Sequence, residues 1–229
     1  MKPLAFVVVF YGLIFSSVDA QSVYLSIGGG FSTLHPKGNY VFTYTNDQMS
    51  WHAKFLEMTG RKADIGFNVA TALEFQLLEA PLSITTGLLY TQLYGRCDYV
   101  KATTPPTSST IYTIGELTTR SNILTFQTGV QWQIIRSRIA PYVGLGVLYS
   151  IVGDTKLRIS YPGGGSEGIV AGNTRLGLML GVGVRASLHP SLDASIGADY
   201  SWINLVTPDD QDKAKGVASL TMRFHYKVL

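Results

Sequence analysis

Nine ionisable side chains could do chemistry together: Asp64, Glu74, Arg175, Arg185, Asp193, Asp199, Arg223, His225 and Lys227. Each stands at an alternate position of a stretch whose other positions are mostly apolar. In extended chain, alternate side chains share one side, so this set is expected on a single face. Charges buried without partners cost several kcal/mol, so mutual pairing is their expected use. A turn centred near His189 would put Arg185 opposite Asp193, with Glu74, Arg223 and His225 at a similar depth. Hydrolytic chemistry would need a serine or an acid held against a histidine. The histidines are His35, His52, His189 and His225, and no His-Glu-x-x-His pair or Gly-Lys-Ser/Thr cradle occurs. Asp209, Asp210 and Asp212 cluster without the spacing or glycine of a calcium loop, so they read as a solvated acidic loop. Gly181 and Gly183 match a dinucleotide turn only superficially, because they lie in an extended stretch. Cys97 is the single cysteine, which excludes an internal disulfide and a cysteine-based metal site. No catalytic, cofactor or metal site is expected.

The elements that must position these charges are strands. Between Thr174 and Trp202, Leu176, Leu178, Leu180, Val182 and Val184 alternate with Arg175, Gly177, Met179, Gly181, Gly183 and Arg185. After a Leu-His-Pro-Ser break, Leu192, Ala194, Ile196, Ala198, Tyr200 and Trp202 alternate with Asp193, Ser195, Gly197, Asp199 and Ser201. Period two means strand. Similar runs occupy 22–31, 64–76, 82–91, 124–132, 139–150 and 215–228, giving about eight strands. One face of each is aliphatic and aromatic; the other holds glycine, serine and charge. Small and polar residues suit a narrow interior, and the apolar face suits lipid. Runs of this length cross a bilayer, for which a tilted strand needs about 9–11 residues.

Composition agrees. Of 229 residues, 46% are hydrophobic and only 14% charged, yet no mature segment has the run of about 18 apolar residues that a membrane helix needs. Net charge is +3 with no basic stripe carrying stacking aromatics, so nucleic acid is not an expected partner. Lys2, the apolar run Leu4–Phe15 and the small residues ending at Ala20 form an expected signal peptide over 1–20. The barrel domain is expected over 21–229.

Connections alternate long and short. The long ones are Leu34–Lys62, Gly95–Arg120, Val152–Asn173 and Asn204–Lys213; the second reads as turn-prone and mobile from its Thr, Ser and Pro content. Within the first, Tyr40–Thr45 is β-prone and could form a hairpin extension. Short turns on the periplasmic side and long loops outside are the pattern of membrane barrels. Phe31, Tyr90, Tyr94, Tyr149, Tyr200 and Trp202 gather beside the long loops, and Trp132, Phe224 and Tyr226 beside the short turns. Two interfacial girdles are expected.

The phrase Pro141-Tyr142-Val143-Gly144-Leu145-Gly146 and the closing Met222-Arg223-Phe224-His225-Tyr226 resemble the fifth and last strands of the small OmpA/OmpX- and opacity-type barrels. The pattern covers essentially all of 21–229, although the chain closes on Lys227-Val228-Leu229 where that family usually has an aromatic. The resemblance implies an all-β, eight-stranded, up-and-down transmembrane barrel in the outer membrane. It also implies a non-enzymatic structural or surface-interaction role, with outer-membrane lipid and lipopolysaccharide as surroundings. A protein partner would meet the long extracellular loops, chiefly Leu34–Lys62 and Gly95–Arg120. The alternatives are a narrow porin-like channel and a lipid-modifying enzyme. At the level of fold, the alternative is a soluble lipocalin-like barrel, whose oily residues would meet inside.

Overall fold

A computed structural model describes residues 20–35, 40–45, 48–55, 66–77, 81–103, 110–135, 137–206 and 216–229. Most of the expected signal peptide, Asp64 and the Asp209–Asp212 cluster lie outside the described residues. The strands are β1 (Ala20–His35), β2 (Tyr40–Thr45), β3 (Gln48–Phe55), β4 (Gly66–Leu77), β5 (Leu82–Thr103), β6 (Thr110–Gln133), β7 (Ile139–Val152), β8 (Thr155–Tyr161), β9 (Gly164–Val170), β10 (Asn173–His189), β11 (Leu192–Val206) and β12 (Gly216–Lys227).

Eight of them close a cylinder. β4, β5, β6, β7, β10, β11 and β12 each pair antiparallel with the next, and β1 joins β12 to β4. Neighbours in the wall are therefore neighbours in the chain, the up-and-down order. Closure leaves no open edge, which matters where no water can satisfy backbone groups. The eight run from 12 residues (β4 and β12) to 24 (β6), enough to cross hydrocarbon at a tilt.

The wall is inside-out. Leu176, Leu178, Leu180, Val182 and Val184 are 54, 42, 48, 51 and 39% exposed, while Gly177, Met179 and Gly181 between them, and Arg185 after them, are buried. On β4, Phe67 and Val69 are exposed while Asn68 and Ala70 are buried. The same holds for Leu145 and Val147 against Leu148, and for Leu220 and Met222 against Thr221. Leu176, Leu180, Ile196 and Leu220 are all exposed and do not converge on an axis, so the soluble-barrel alternative is wrong for this fold. This is a transmembrane β-barrel.

The long connections differ from expectation. Gly95–Arg120 is not a loose loop: β5 and β6 run on past the barrel wall, paired as far as Thr103 with Thr110. Tyr99, Val100, Ile111 and Tyr112 supply β-prone residues to this ladder, which skips Ile114 at a bulge. Within this stretch, 104–109 fall outside the described residues. Val152–Asn173 likewise holds a hairpin, β8–β9, turning at Pro162-Gly163. Gly163 has φ +95°, a conformation that L side chains rarely adopt, and a preceding proline suits such a turn. β8 adds to the edge of β6, so β5, β6, β8 and β9 form one sheet continuous with the wall. Tyr40–Thr45 is a strand, in the separate hairpin β2–β3.

Val182 lies near the middle of β10 on the outer face. Val182→Arg should cost about 2–4 kcal/mol in a barrel folded into vesicles, read from its urea midpoint. A loss below about 0.5 kcal/mol would contradict a lipid-facing Val182.

Candidate functional site

The interior is built in layers along the axis. Nearest the short turns is a cluster centred on Arg185. Its Nη1 donates to both Glu74 oxygens at 2.7 and 2.8 Å, and its Nε donates to Asp193 Oδ2 at 2.8 Å. The guanidinium also stands over the Tyr24 ring, 4.5 Å from its centroid. Glu74 and Arg185 are 2 and 4% exposed, so the pairing is desolvated. Each member offsets a burial cost that it could not bear alone.

Arg185 is not opposite Asp193 as the His189-centred turn would have it. The ladder pairs Arg185 with Ser195 and Ser187 with Asp193. The chain reverses at Pro190-Ser191, between His189 and Leu192, and this shifts the register by one pair. The long arginine still reaches Asp193 along the diagonal, within range of a long side chain in a twisted sheet.

His225 belongs to the same layer. Its Nε2 lies 2.8 Å from Ser195 Oγ, and its Nδ1 approaches Glu74 Oε2 to 3.4 Å without the alignment of a hydrogen bond. Serine, histidine and carboxylate in that order suggest an activated nucleophile. The surroundings oppose it. Both Glu74 oxygens are already held by Arg185, and Ser195 and His225 are each only 5% exposed. The arrangement holds charge in place and presents no serine to a substrate. His35 and His52 lie at the far end of β1 and in β3; His189 is exposed in the short turn, 3.0 Å from Ser191 Oγ.

The next layer pairs Arg223 Nη2 with Asp199 Oδ2 at 3.3 Å, and the Thr221 hydroxyl donates to the same oxygen at 3.3 Å. Beside it, the inward-pointing Tyr142 is 7% exposed. A Cβ at Gly183 would strike its ring, and one at Gly197 its hydroxyl. Those two glycines make the space that the tyrosine fills. Towards the long connections the filling turns apolar: Leu93, Ile123, Leu148, Met179, Ile203 and Val217 form one buried cluster. Around it Ser32 and Ser219 hydroxyls bond at 2.8 Å, Asn68 donates to Ser32 at 2.8 Å, and Thr125 and Ser150 bond at 2.9 Å.

The structure thus brings together Glu74, Arg185, Asp193 and His225, and separately Asp199 and Arg223. Arg175 belongs to neither group: it lies opposite Ser150, about 33 Å along β10 from Arg185 at strand rise. Lys227 lies opposite Tyr24 at the short-turn end. Sequence reasoning placed Tyr24 and Ser195 on inward faces without foreseeing their contacts, and overlooked Tyr142 and most of the apolar cluster as fillers. Parity alone could have found Tyr142, since it shares the inward positions of its strand with Ala140 and Leu148.

On the outer face, Phe31, Tyr94, Trp132, Trp202, Phe224 and Tyr226 are exposed, and Tyr90, Tyr149 and Tyr200 are half-buried. Tyr200 and Trp202 meet edge to face at 4.7 Å between ring centres. Phe67 with Tyr90, and Phe126 with Tyr149, pair at 6.2 and 6.3 Å. Phe67 and Phe126 are therefore further members of the long-loop group.

No family model and no curated protein matches the chain. Among solved structures it is similar to neisserial surface protein A, at 13% identity and TM-score 0.47, covering 90% of this chain and 97% of that one. It is similar to Ail of Yersinia pestis, solved with the heparin analogue sucrose octasulfate, at 15% identity and TM-score 0.42, covering 90 and 99%. It is similar to the outer membrane protein OprG of Pseudomonas aeruginosa, at 13% identity and TM-score 0.44, covering 92 and 97%. The likeness is in barrel outline and extends to no particular residue.

Arg185→Ala should destabilise the folded barrel by about 3–5 kcal/mol, because Glu74 and Asp193 would stay buried without their cation. A shift in urea midpoint worth under about 1 kcal/mol would show that the cluster is solvated. Gly197→Ala should cost clearly less in a Tyr142→Phe background than alone, since the colliding oxygen is then gone; strict additivity would contradict the fit.

Proposed function

We propose that the chain is an outer-membrane protein whose barrel is a non-enzymatic anchor, and whose long hairpins form an interaction surface outside the cell. The observation that carries this is the inverted wall: exposed Leu176, Leu180, Val182, Ile196 and Leu220 around an interior of serine, threonine, glutamine and paired charge. Such a surface is soluble only in lipid, and a closed ladder is one of two backbone forms that hydrocarbon tolerates. With the long connections outward, as is usual, the short turns and both chain ends lie on the periplasmic side. The β5–β6 hairpin and the β8–β9 hairpin then rise beyond the bilayer as a sheet rooted in the wall. Loops held by a rigid scaffold are the usual seat of recognition, so this sheet and the β2–β3 hairpin are the proposed surface for a protein partner.

The filled interior weighs against a standing pore. An eight-stranded barrel has room for little more than its own side chains. Here Tyr142, the Arg185 cluster and the six-residue apolar layer occupy that room at successive depths.

Protease treatment of intact cells, followed by mapping of cut sites, tests orientation and display. Cuts should fall within 36–65, 96–119, 153–172 and 207–215 and nowhere else, with the barrel retained in the detergent-soluble membrane fraction. Cuts at 78–81 or 134–138 in intact cells would invert the proposed topology. Recovery of the chain in the aqueous fraction without detergent would sink the membrane role.

A further inference from the structure

Three cations share the outer face just beyond the aromatic belt, on the sheet formed by β6 and β8. Along β6 the outward positions are Trp132, Val130, Thr128, Phe126, Leu124, Asn122, Arg120 and Thr118, because Trp132, Val130 and Leu124 are exposed and parity is unbroken between them. The β6–β8 register sets Arg120 directly opposite Lys156 and Thr118 opposite Arg158. Arg120, Lys156 and Arg158 are therefore neighbours on the outward face, and all three are exposed. Like charges directly opposite one another across a ladder are destabilising, and the Arg120–Lys156 pair carries that cost. In register, Glu116, which faces Asp98 across the β5–β6 ladder, stands one diagonal step from Arg158 and two rows from the Arg120–Lys156 pair. Arg158 Nε lies 3.8 Å from Glu167, both well exposed, and Asp154 is turned to the Gly172 N–H.

The surroundings hold Arg120 ready. Its guanidinium lies 5.7 Å from the centre of the Tyr94 ring. The Gln92 amide, turned to present its oxygen, meets Arg120 Nη2 and Nε at 2.8 and 3.1 Å. Asn122 Oδ1 accepts from the Tyr90 hydroxyl at 3.1 Å, so polar groups fill the step between belt and cations. Below that step are Leu124, Val130 and Trp132, which face acyl chains. The cations therefore stand at the height of headgroups and point sideways at them, away from the interior.

Resting on the membrane reading above, we infer that Arg120, Lys156 and Arg158 form a binding site for the phosphorylated headgroup of an outer-leaflet glycolipid. Guanidinium groups grip phosphate oxygens in pairs, and an ammonium adds a point charge between them. The anion relieves the repulsion built into the β6–β8 ladder and ties the β8–β9 hairpin to the membrane surface.

The test uses the full barrel folded in non-ionic detergent, with bisphosphorylated lipid A and its dephosphorylated form as probes. Bound lipid is counted by native mass spectrometry, and folding is checked by heat-modifiable gel migration. The wild type should bind the phosphorylated form about tenfold more tightly, and Arg120→Gln/Lys156→Gln/Arg158→Gln together should abolish that preference. Lys156→Gln and Arg158→Gln alone should each weaken it about two- to threefold, which serves if the triple variant misfolds. Arg120→Lys should retain part of it, and Arg138→Gln, at the short-turn end, should leave it unchanged. An undiminished preference in the triple variant, or none in the wild type, overturns the site. Insertion into phosphatidylcholine vesicles is measured in parallel. A barrel that inserts yet shows no preference defeats this site alone, whereas one that fails to insert defeats the membrane reading as well.

Discussion

A backbone in hydrocarbon has no water to bond with, so every N–H and C=O in it must find a partner within the protein. The closed ladder from β1 round to β12 and back meets that demand, and the rest of the structure follows from it. Closure fixes which side chains point outward, because a pleated strand allows only two directions. The outward set must then be oily over the length of the crossing. The inward set must fill a cylinder too narrow for two layers of large residues. Glycine, serine and threonine at many inward positions satisfy this second demand, and a large inward side chain can be seated against glycines across from it. Tyr142 over Gly183 and Gly197 is the clearest case.

The same confinement explains the ion pairs. Arg185, Glu74 and Asp193 come from three different strands and meet only because the cylinder closes. A cluster of this kind adds little net stability over apolar packing, but it strongly penalises a wrong register, since a slip by one residue would turn Arg185 and Glu74 into lipid. The charged layer near the short turns and the apolar layer near the long connections divide the task. One specifies register, and the other excludes water from the end that faces the hairpins.

Much of this was legible in the sequence because the wall alternates cleanly. Leu176 to Val184 and Leu192 to Trp202 give strand, face and approximate ends without further information. The inward identity of Glu74, Arg185, Asp193, Asp199, Arg223 and His225 follows from the same parity. Which of them touch does not, because contact across a barrel depends on shear and on the exact residue at which a turn reverses. A turn displaced from His189 to Pro190-Ser191 was enough to alter the partner of Arg185 in the ladder. The stretch Gly95–Arg120 misled for a different reason. Its centre, Thr103 to Thr110, is rich in proline, threonine and serine, and that composition masks the β-prone residues on either side, which pair with each other beyond the wall. The apolar layer was hidden as well, since Leu93, Leu148 and Met179 on inward positions look like breaks in the pattern until they are seen to meet.

The central claim is that the alternation on β10 separates lipid from lumen. Single nitroxide labels at 177 to 184, with Cys97 replaced, measure it directly in a barrel reconstituted into vesicles. Collision with molecular oxygen, which concentrates in lipid, should peak at 178, 180, 182 and 184 and fall at 177, 179, 181 and 183, with the deepest labels shielded from a water-soluble nickel complex. An inverted phase, or accessibility without a period of two, would contradict the account.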